Sequence, residues 1–221
     1  MTTIFVTSSG TDIGKTFVTV KLVAELNAAG YRVQALKPVA SGFDGSSSDG
    51  SDTVSLLHAQ GLDVTTANLD AVSPWRFTAA LSPDMAAARE KRGIPFDALV
   101  AWCRTMSERT DVTLIEGIGG VMVPLDEGHT VLDWIAALGA PALLVVGSYL
   151  GTLSHSLTAV AALRQRGVTV AGIVVSESAQ QPVAAAETAA TLARFVAPLP
   201  IQVLARASSA PLLPILAHHL R

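Results

Sequence analysis

The stretch that most constrains this chain is Thr7-Ser8-Ser9-Gly10-Thr11-Asp12-Ile13-Gly14-Lys15-Thr16, close to its start. Thr2-Thr3-Ile4-Phe5-Val6 runs before it, a β-branched segment that reads as a buried strand. After it Phe17, Val18, Val20, Leu22, Val23 and Leu26 recur at helical spacing up to Ala28-Ala29-Gly30, where Gly30 predicts a helix stop. A strand, a small-residue loop ending in Gly-Lys-Thr and a helix together form the setting of a phosphate-binding loop. In such a loop backbone N–H groups at the helix N-terminus face the phosphates. Lys15 then adds a point charge at the β/γ-phosphates, and the Thr16 hydroxyl can sit on Mg²⁺. The nucleotide is expected against Asp12, Ile13, Gly14, Lys15, Thr16 and Phe17. The usual pattern places glycine where this chain has Ser9, with Gly10 beside it. Positive φ is cheap mainly for glycine, so the loop is expected to bend at Gly10.

Strand-like and helix-like segments alternate beyond this unit, which predicts an α/β fold of three layers, a mostly parallel sheet with helices on both faces. Strands are expected over 32–37, 111–115, 142–147, 168–175 and 201–204. Helices are expected over 53–60, from Ser82-Pro83 through Arg89, and over 96–109, 132–138, 183–196 and the stretch up to Leu163. Ser51 or Asp52 would cap the first of these. Residues 42–51 read as a mobile surface loop and residues 61–81 as irregular. The length of 221 residues suits one domain, 1–221, with a sizeable core.

The formal charge of −3 gives no electrostatic footprint for nucleic acid or an anionic membrane. The single cysteine, Cys103, excludes an internal disulfide and fits a reducing compartment. The longest nearly apolar tract, 135–147, is interrupted by Gly139 and Pro141 and is too short to span a bilayer. Met1 leads directly into the first strand without a signal-peptide pattern, so a cytoplasmic protein is expected.

Ligands of open parallel sheets bind beyond the carboxyl ends of the strands. There this sequence places the Gly14-Lys15-Thr16 loop, Lys37 with Ser41, Glu116 with its glycines, Gly147 with the following turn, and Ser176. Two lysines, a hydroxyl and at least one carboxylate on one rim suit phosphoryl transfer, where catalysis is mostly positioning and charge neutralisation. Glu116 occupies the place of a Mg²⁺-binding acid. The five histidines lack metal-ligand spacing.

These motifs add up to a resemblance to the dethiobiotin synthetases, ATP-dependent ligases of biotin synthesis. It rests on Thr11 with Gly14-Lys15-Thr16, Lys37-Pro38-Val39-Ala40-Ser41-Gly42, Ser51-Asp52, Ser82-Pro83 and Glu116-Gly117 with Gly119-Gly120. Asp133-Trp134, Val145-Val146-Gly147 with Leu150-Gly151, and Ala171-Gly172 complete the set. The resemblance implies that 7,8-diaminononanoate, CO₂ and ATP give dethiobiotin, ADP and phosphate through a carbamate that attacks the γ-phosphate. By position, Lys15 and Lys37 would stabilise the γ-phosphate and carbamate, and Thr11 and Ser41 would position phosphate and substrate. Thr16, Glu116 and either Asp49 or Asp52 would bind Mg²⁺, with Gly117 and Gly119 beside the nucleotide. The family is dimeric, which implies that backbone N–H groups of Gly151, Thr152, Leu153 and Ser154 hold the substrate carboxylate across a subunit interface. Asp12 stands where the family often has Glu, and Ser176 where some members read the adenine with Asn. Serine lacks an amide's complementary donor and acceptor pair, which predicts looser base selectivity.

Two other readings fit the same rim. One is a related ligase acting on another amine; the other is an ATP-switched partitioning or positioning ATPase. The latter commonly carries a second lysine in the loop, and residues 8–13 contain none.

Overall fold

The computed structural model describes residues 1–45, 50–206 and 208–220. Its strands are β1 (Thr2–Ser8), β2 (Val33–Leu36), β3 (Val39–Ser41), β4 (Trp75–Phe77), β5 (Val112–Glu116), β6 (Ala142–Val146), β7 (Val170–Ser176) and β8 (Ile201–Leu204). Its helices are α1 (Lys15–Ala28), α2 (Asp52–Ala59), α3 (Thr66–Val72), α4 (Pro83–Arg89), α5 (Phe96–Ser107), α6 (Val131–Leu138), α7 (Thr152–Gln165) and α8 (Ala185–Val196). A 3-10 turn, Leu213–Leu216, follows.

Six strands form one sheet in the order β2-β5-β1-β6-β7-β8, and every pairing in it is parallel. The inner strands β5, β6 and β7 are buried throughout, which is why they read as nearly continuous apolar runs, whereas the edge strands β2 and β8 are only partly buried. Along β1 the faces alternate. Ile4 and Val6 join Val18, Leu22 and Leu26 of α1 and Leu56 of α2 in one apolar cluster. Phe5 belongs to the cluster on the other face, where its ring meets Trp134 of α6 edge-on at 4.8 Å between centroids. This pair sits under β1, so the strand feeding the phosphate loop is held from both sides. The geometry is that of a P-loop NTPase-like three-layer fold.

Helix ends follow local chemistry. Beyond α1, Gly30 adopts φ 88 and donates to Asn27 O, the stop expected from its position. Ser51, not Asp52, caps α2, accepting the Val54 N–H. This leaves the Asp52 carboxylate free to face the strand ends. Helix α6 begins with a capping box between Thr130 and Asp133.

Residues 61–81 are not irregular, contrary to expectation. They hold α3, capped by Thr65, and β4, which pairs in parallel with β3 as a separate two-stranded sheet. Three-residue strands carry no readable period, so the alternation that marks longer strands could not reveal them. Lys37 N donates to Val72 O, tying the end of β2 to this insertion. Residues 46–49, and with them Asp49 and the three serines Ser46, Ser47 and Ser48 of the 42–51 loop, lie outside the described residues. No helix among the described residues is long and apolar enough to cross a membrane.

Candidate active site

Strand β1 delivers the phosphate loop to the middle of the sheet, between β5 and β6. The loop's left-handed residues are Asp12 (φ 56) and Gly14 (φ 98). The chain bends at Ser9 and Gly10, as expected for Gly10, but neither residue takes positive φ. Crowding against this bend explains the glycine at 120. A Cβ on Gly120 would lie 3.1 Å from Gly10 N and 3.2 Å from the Ser9 carbonyl carbon, so the glycine run after Glu116 packs directly on the loop. Gly14 precedes the first turn of α1 and leaves that turn's N–H groups open to an anion.

Lys15 opens α1 and is buried. Its Nζ donates to Ser8 Oγ at 3.1 Å. Burial, and then the charge of Lys37, lowers its pKa to about 8. Ser8 is fully buried, with Gly10 O at 2.5 Å and Gly119 O at 2.9 Å from its hydroxyl, so it joins the phosphate loop to the glycine run.

Lys37, just past β2, is also buried. Its Nζ lies 2.7 Å from Glu116 Oε1, 2.8 Å from Asp52 Oδ2 and 3.0 Å from Gly117 O. Burial opposes its charge, but Glu116 and Asp52 outweigh burial and hold its pKa above the ordinary lysine value. For Asp52, burial pushes upward while Lys37 pulls harder, leaving the carboxyl below its usual range. Thr16 Oγ1 completes the cluster, 2.6 Å from Asp52 Oδ1 and 2.8 Å from Glu116 Oε1.

These distances test whether a divalent cation fits. A hydroxyl owns one proton, so Thr16 can donate to only one of the two carboxylates that crowd it. Three hard oxygens on three elements, converging at such short range, match what Mg²⁺ prefers. Among the described residues no three His, Cys, Asp or Glu side chains gather as a metal site. Two carboxylates and a hydroxyl would leave positions for phosphate oxygens and water, the usual arrangement for Mg²⁺. The donor set fits.

Thr19 is a member of this cluster that sequence reasoning missed. Its hydroxyl contacts Glu116 Oε2 at 2.8 Å and Lys15 O at 2.9 Å. It lies three residues after Thr16, on the same face of α1, and that spacing was the available signal.

A cavity of about 560 Å³ opens over the cluster, lined by Thr11, Asp12, Lys15, Lys37, Ser41, Asp52 and Gly119 together with apolar Phe43, Ile118 and Val123. Thus Thr11, Ser41 and both lysines share one space. Ile13, Phe17 and Ser176 instead line a cavity of about 410 Å³ with Glu177 and Arg206. Arg206 had no sequence signal, since the segment after β8 carries no motif, whereas Glu177 directly follows Ser176 at the end of β7. Gly117 belongs to the cluster only through its carbonyl, which accepts from Lys37. Gly151, Thr152, Leu153 and Ser154 form the start of α7 and line neither cavity. Thr152 is buried, and its hydroxyl donates to Gly147 O at 2.8 Å.

Comparison with known proteins places this geometry in a family. Residues 2–216 match the family model described as an AAA domain. The chain is 48% identical over 204 residues to an ATP-dependent dethiobiotin synthetase of Acidiphilium cryptum, covering 90% of this chain and 91% of the relative. It is 48% identical over 200 residues to that of Methylobacterium nodulans, covering 88% and 89%, and 37% identical over 196 residues to that of Yersinia pestis, covering 88% and 81%. Among solved structures, apo McdA from Cyanthece aligns with a TM-score of 0.53 at 14% identity, over 94% of this chain and 87% of that one. The MinC:MinD cell division complex of Aquifex aeolicus aligns with a TM-score of 0.51 at 16% identity, over 80% and 69%. Likeness at that identity concerns the fold alone, and it does not favour the partitioning-ATPase reading over relatives three times as similar in sequence. The chain belongs to the family of ATP-dependent dethiobiotin synthetases.

Proposed function

We propose that this chain, acting as one ligase domain over residues 1–221, joins CO₂ to 7,8-diaminononanoate and closes the cyclic urea. ATP is consumed to ADP and phosphate, and dethiobiotin is formed. The observation that carries the reading is a cavity lined by Lys15, Lys37 and Asp52, with Thr16 and Glu116 hydrogen-bonded to those last two beneath it, within a chain of this family.

The chain's own groups divide the work. The open N–H groups of α1 and the Lys15 ammonium bind the terminal phosphates, whose charge must be offset as the γ-phosphoryl group moves. Lys37 approaches the same centre from β2, where a carbamate oxygen can attack the γ-phosphorus and expel ADP, after which the second amine attacks the carbamate carbon and expels that oxygen with phosphorus as phosphate. Thr11 and Ser41 orient the substrates, and Phe43, Ile118 and Val123 exclude water from the acid-labile carbamate and its anhydride. Thr16, Asp52 and Glu116 would hold Mg²⁺. When bound, the ion supplies neutralisation of triphosphate charge. Phe17, Ser176 and Arg206 offer a place for the base. The start of α7 suits a carboxylate from a substrate bound mainly by a second copy, which makes the working form a homodimer.

The test is direct. Purified protein given the diamine, bicarbonate, ATP and Mg²⁺ forms dethiobiotin with one phosphate released per product, read by mass spectrometry and a phosphate assay. Product from a different diamine but not from this one would move the assignment to a related ligase. Phosphate release without any ring closure would refute the ligase reading. A monomer by light scattering with full activity would remove the proposed role of α7.

A further inference from the structure

In this structure the cation seated between Asp52 and Glu116 is the Lys37 ammonium. Its three protons meet three acceptors, Glu116 Oε1 at 2.7 Å, Asp52 Oδ2 at 2.8 Å and Gly117 O at 3.0 Å. Lys37 therefore has no spare donor for a phosphate or carbamate unless it releases one of these. Glu116 Oε1 is also the oxygen that Thr16 approaches at 2.8 Å, so a metal bridging Thr16 and Glu116 would compete for the same atom. The carboxylate cannot rotate to serve both, because Thr19 fixes its other oxygen at 2.8 Å and the side chain is fully buried. A divalent ion placed there with Lys37 still in position would face a positive charge at close range.

We propose that Lys37 is a placeholder for the divalent cation: without nucleotide its ammonium occupies the carboxylate pair and excludes the metal, and an arriving triphosphate draws it away. The metal then enters with the nucleotide and not ahead of it. The inference deepens the proposed function and rests on Thr16, Asp52 and Glu116 being the metal's ligands.

The test is direct Mn²⁺ binding, read from the loss of the free-ion electron paramagnetic resonance signal, with no turnover involved. Without nucleotide, Lys37→Met binds Mn²⁺ at least about thirty-fold more tightly than wild type, the repulsion of +2 and +1 charges about 4 Å apart even at the dielectric of water. Lys37→Arg, which keeps the charge, shows no such gain. Should the methionine variant fail to fold, Lys37→Gln retains donors toward the carboxylates and carries the same expectation. Wild type that takes up Mn²⁺ alone as tightly as the neutral variants overturns the proposal. Glu116→Gln separates this failure from failure of the site itself. If Glu116→Gln abolishes Mn²⁺ uptake by otherwise wild-type protein, the ligands are right and only the placeholder role is wrong. If uptake with a non-hydrolysable ATP analogue survives Glu116→Gln unchanged, the metal assignment has failed and the inference goes with it.

Discussion

Gly14→Ala probes the phosphate loop at its tightest point. Gly14 has φ 98, outside the range that side-chain-bearing residues adopt readily, and an added Cβ would lie 2.7 Å from Ser176 Oγ. The backbone contribution is about 1–2 kcal/mol for a left-handed L-residue. Ser176 Oγ is the end of a side chain and can turn aside, at about 0.5–1.5 kcal/mol if it leaves its rotamer. Together these predict a loss of about 1.5–3.5 kcal/mol, or roughly 3–14 °C in Tm for a chain of this length. Ser176→Ala in the Gly14→Ala background returns only the steric part, because the Ser176 Cβ lies 3.5 Å from the new methyl, an ordinary contact. A double-mutant cycle by urea unfolding should thus give a coupling energy of about 0.5–1.5 kcal/mol. Nucleotide binding by calorimetry should weaken about ten- to a hundred-fold, as expected when one charge-assisted N–H contact to phosphate is displaced. Wild-type Tm together with wild-type nucleotide affinity in Gly14→Ala would refute the placement of the phosphates against this turn.

Lys37→Ala should lower turnover about a hundred-fold or more while ATP affinity changes only a few-fold, since an electrostatic stabiliser of the reacting centre acts mainly on the transition state; unchanged turnover would take Lys37 out of the reaction. Thr19→Val leaves Glu116 Oε2 buried without its donor, and about 1–3 kcal/mol of stability should be lost in chemical denaturation. No loss would mean that Thr19 does not anchor the carboxylate. Lys15 has a folded-state pKa of about 8, below the unfolded value of 10.5. The unfolded chain therefore binds more protons in this interval, and stability rises as pH climbs from about 8 toward 10.5. Nucleotide affinity should fall over the same interval as the amine loses its charge. Lys15→Met removes this segment from both profiles, and an identical profile in that variant would show that Lys15 is not the titrating group.

The candidate site at the sheet's rim was legible in the chain because parallel strands display their chemistry at predictable ends. Lys37 and Glu116 each end a strand-like run, Lys15 and Thr16 close the loop after another, and the structure brings all four together with Asp52. Thr19 escaped because its role depends on Glu116 Oε2, 97 residues away in sequence, and nothing local announces that partner. Gly10 does bend the phosphate loop, but without the positive φ expected of a glycine there. The requirement for glycine falls instead at Gly120, where a Cβ would strike the Ser9–Gly10 backbone of another loop, and nothing local announces that contact. The insertion holding α3 and β4 was read as irregular because its strands are too short to carry a period.

By itself the sequence determined the layers, the phosphate loop and the family, since apolar periodicity and motif spacing are local properties written along the backbone. Tertiary structure alone decided which oxygen faces which cation. It seated Lys37 between Asp52 and Glu116, gave Asp52 to the site by capping α2 with Ser51, and set Ser176 against Gly14. The physical reason is that charge and hydrogen-bond interactions depend on ångström separations across strands, and those separations are fixed only when both faces of the sheet have packed.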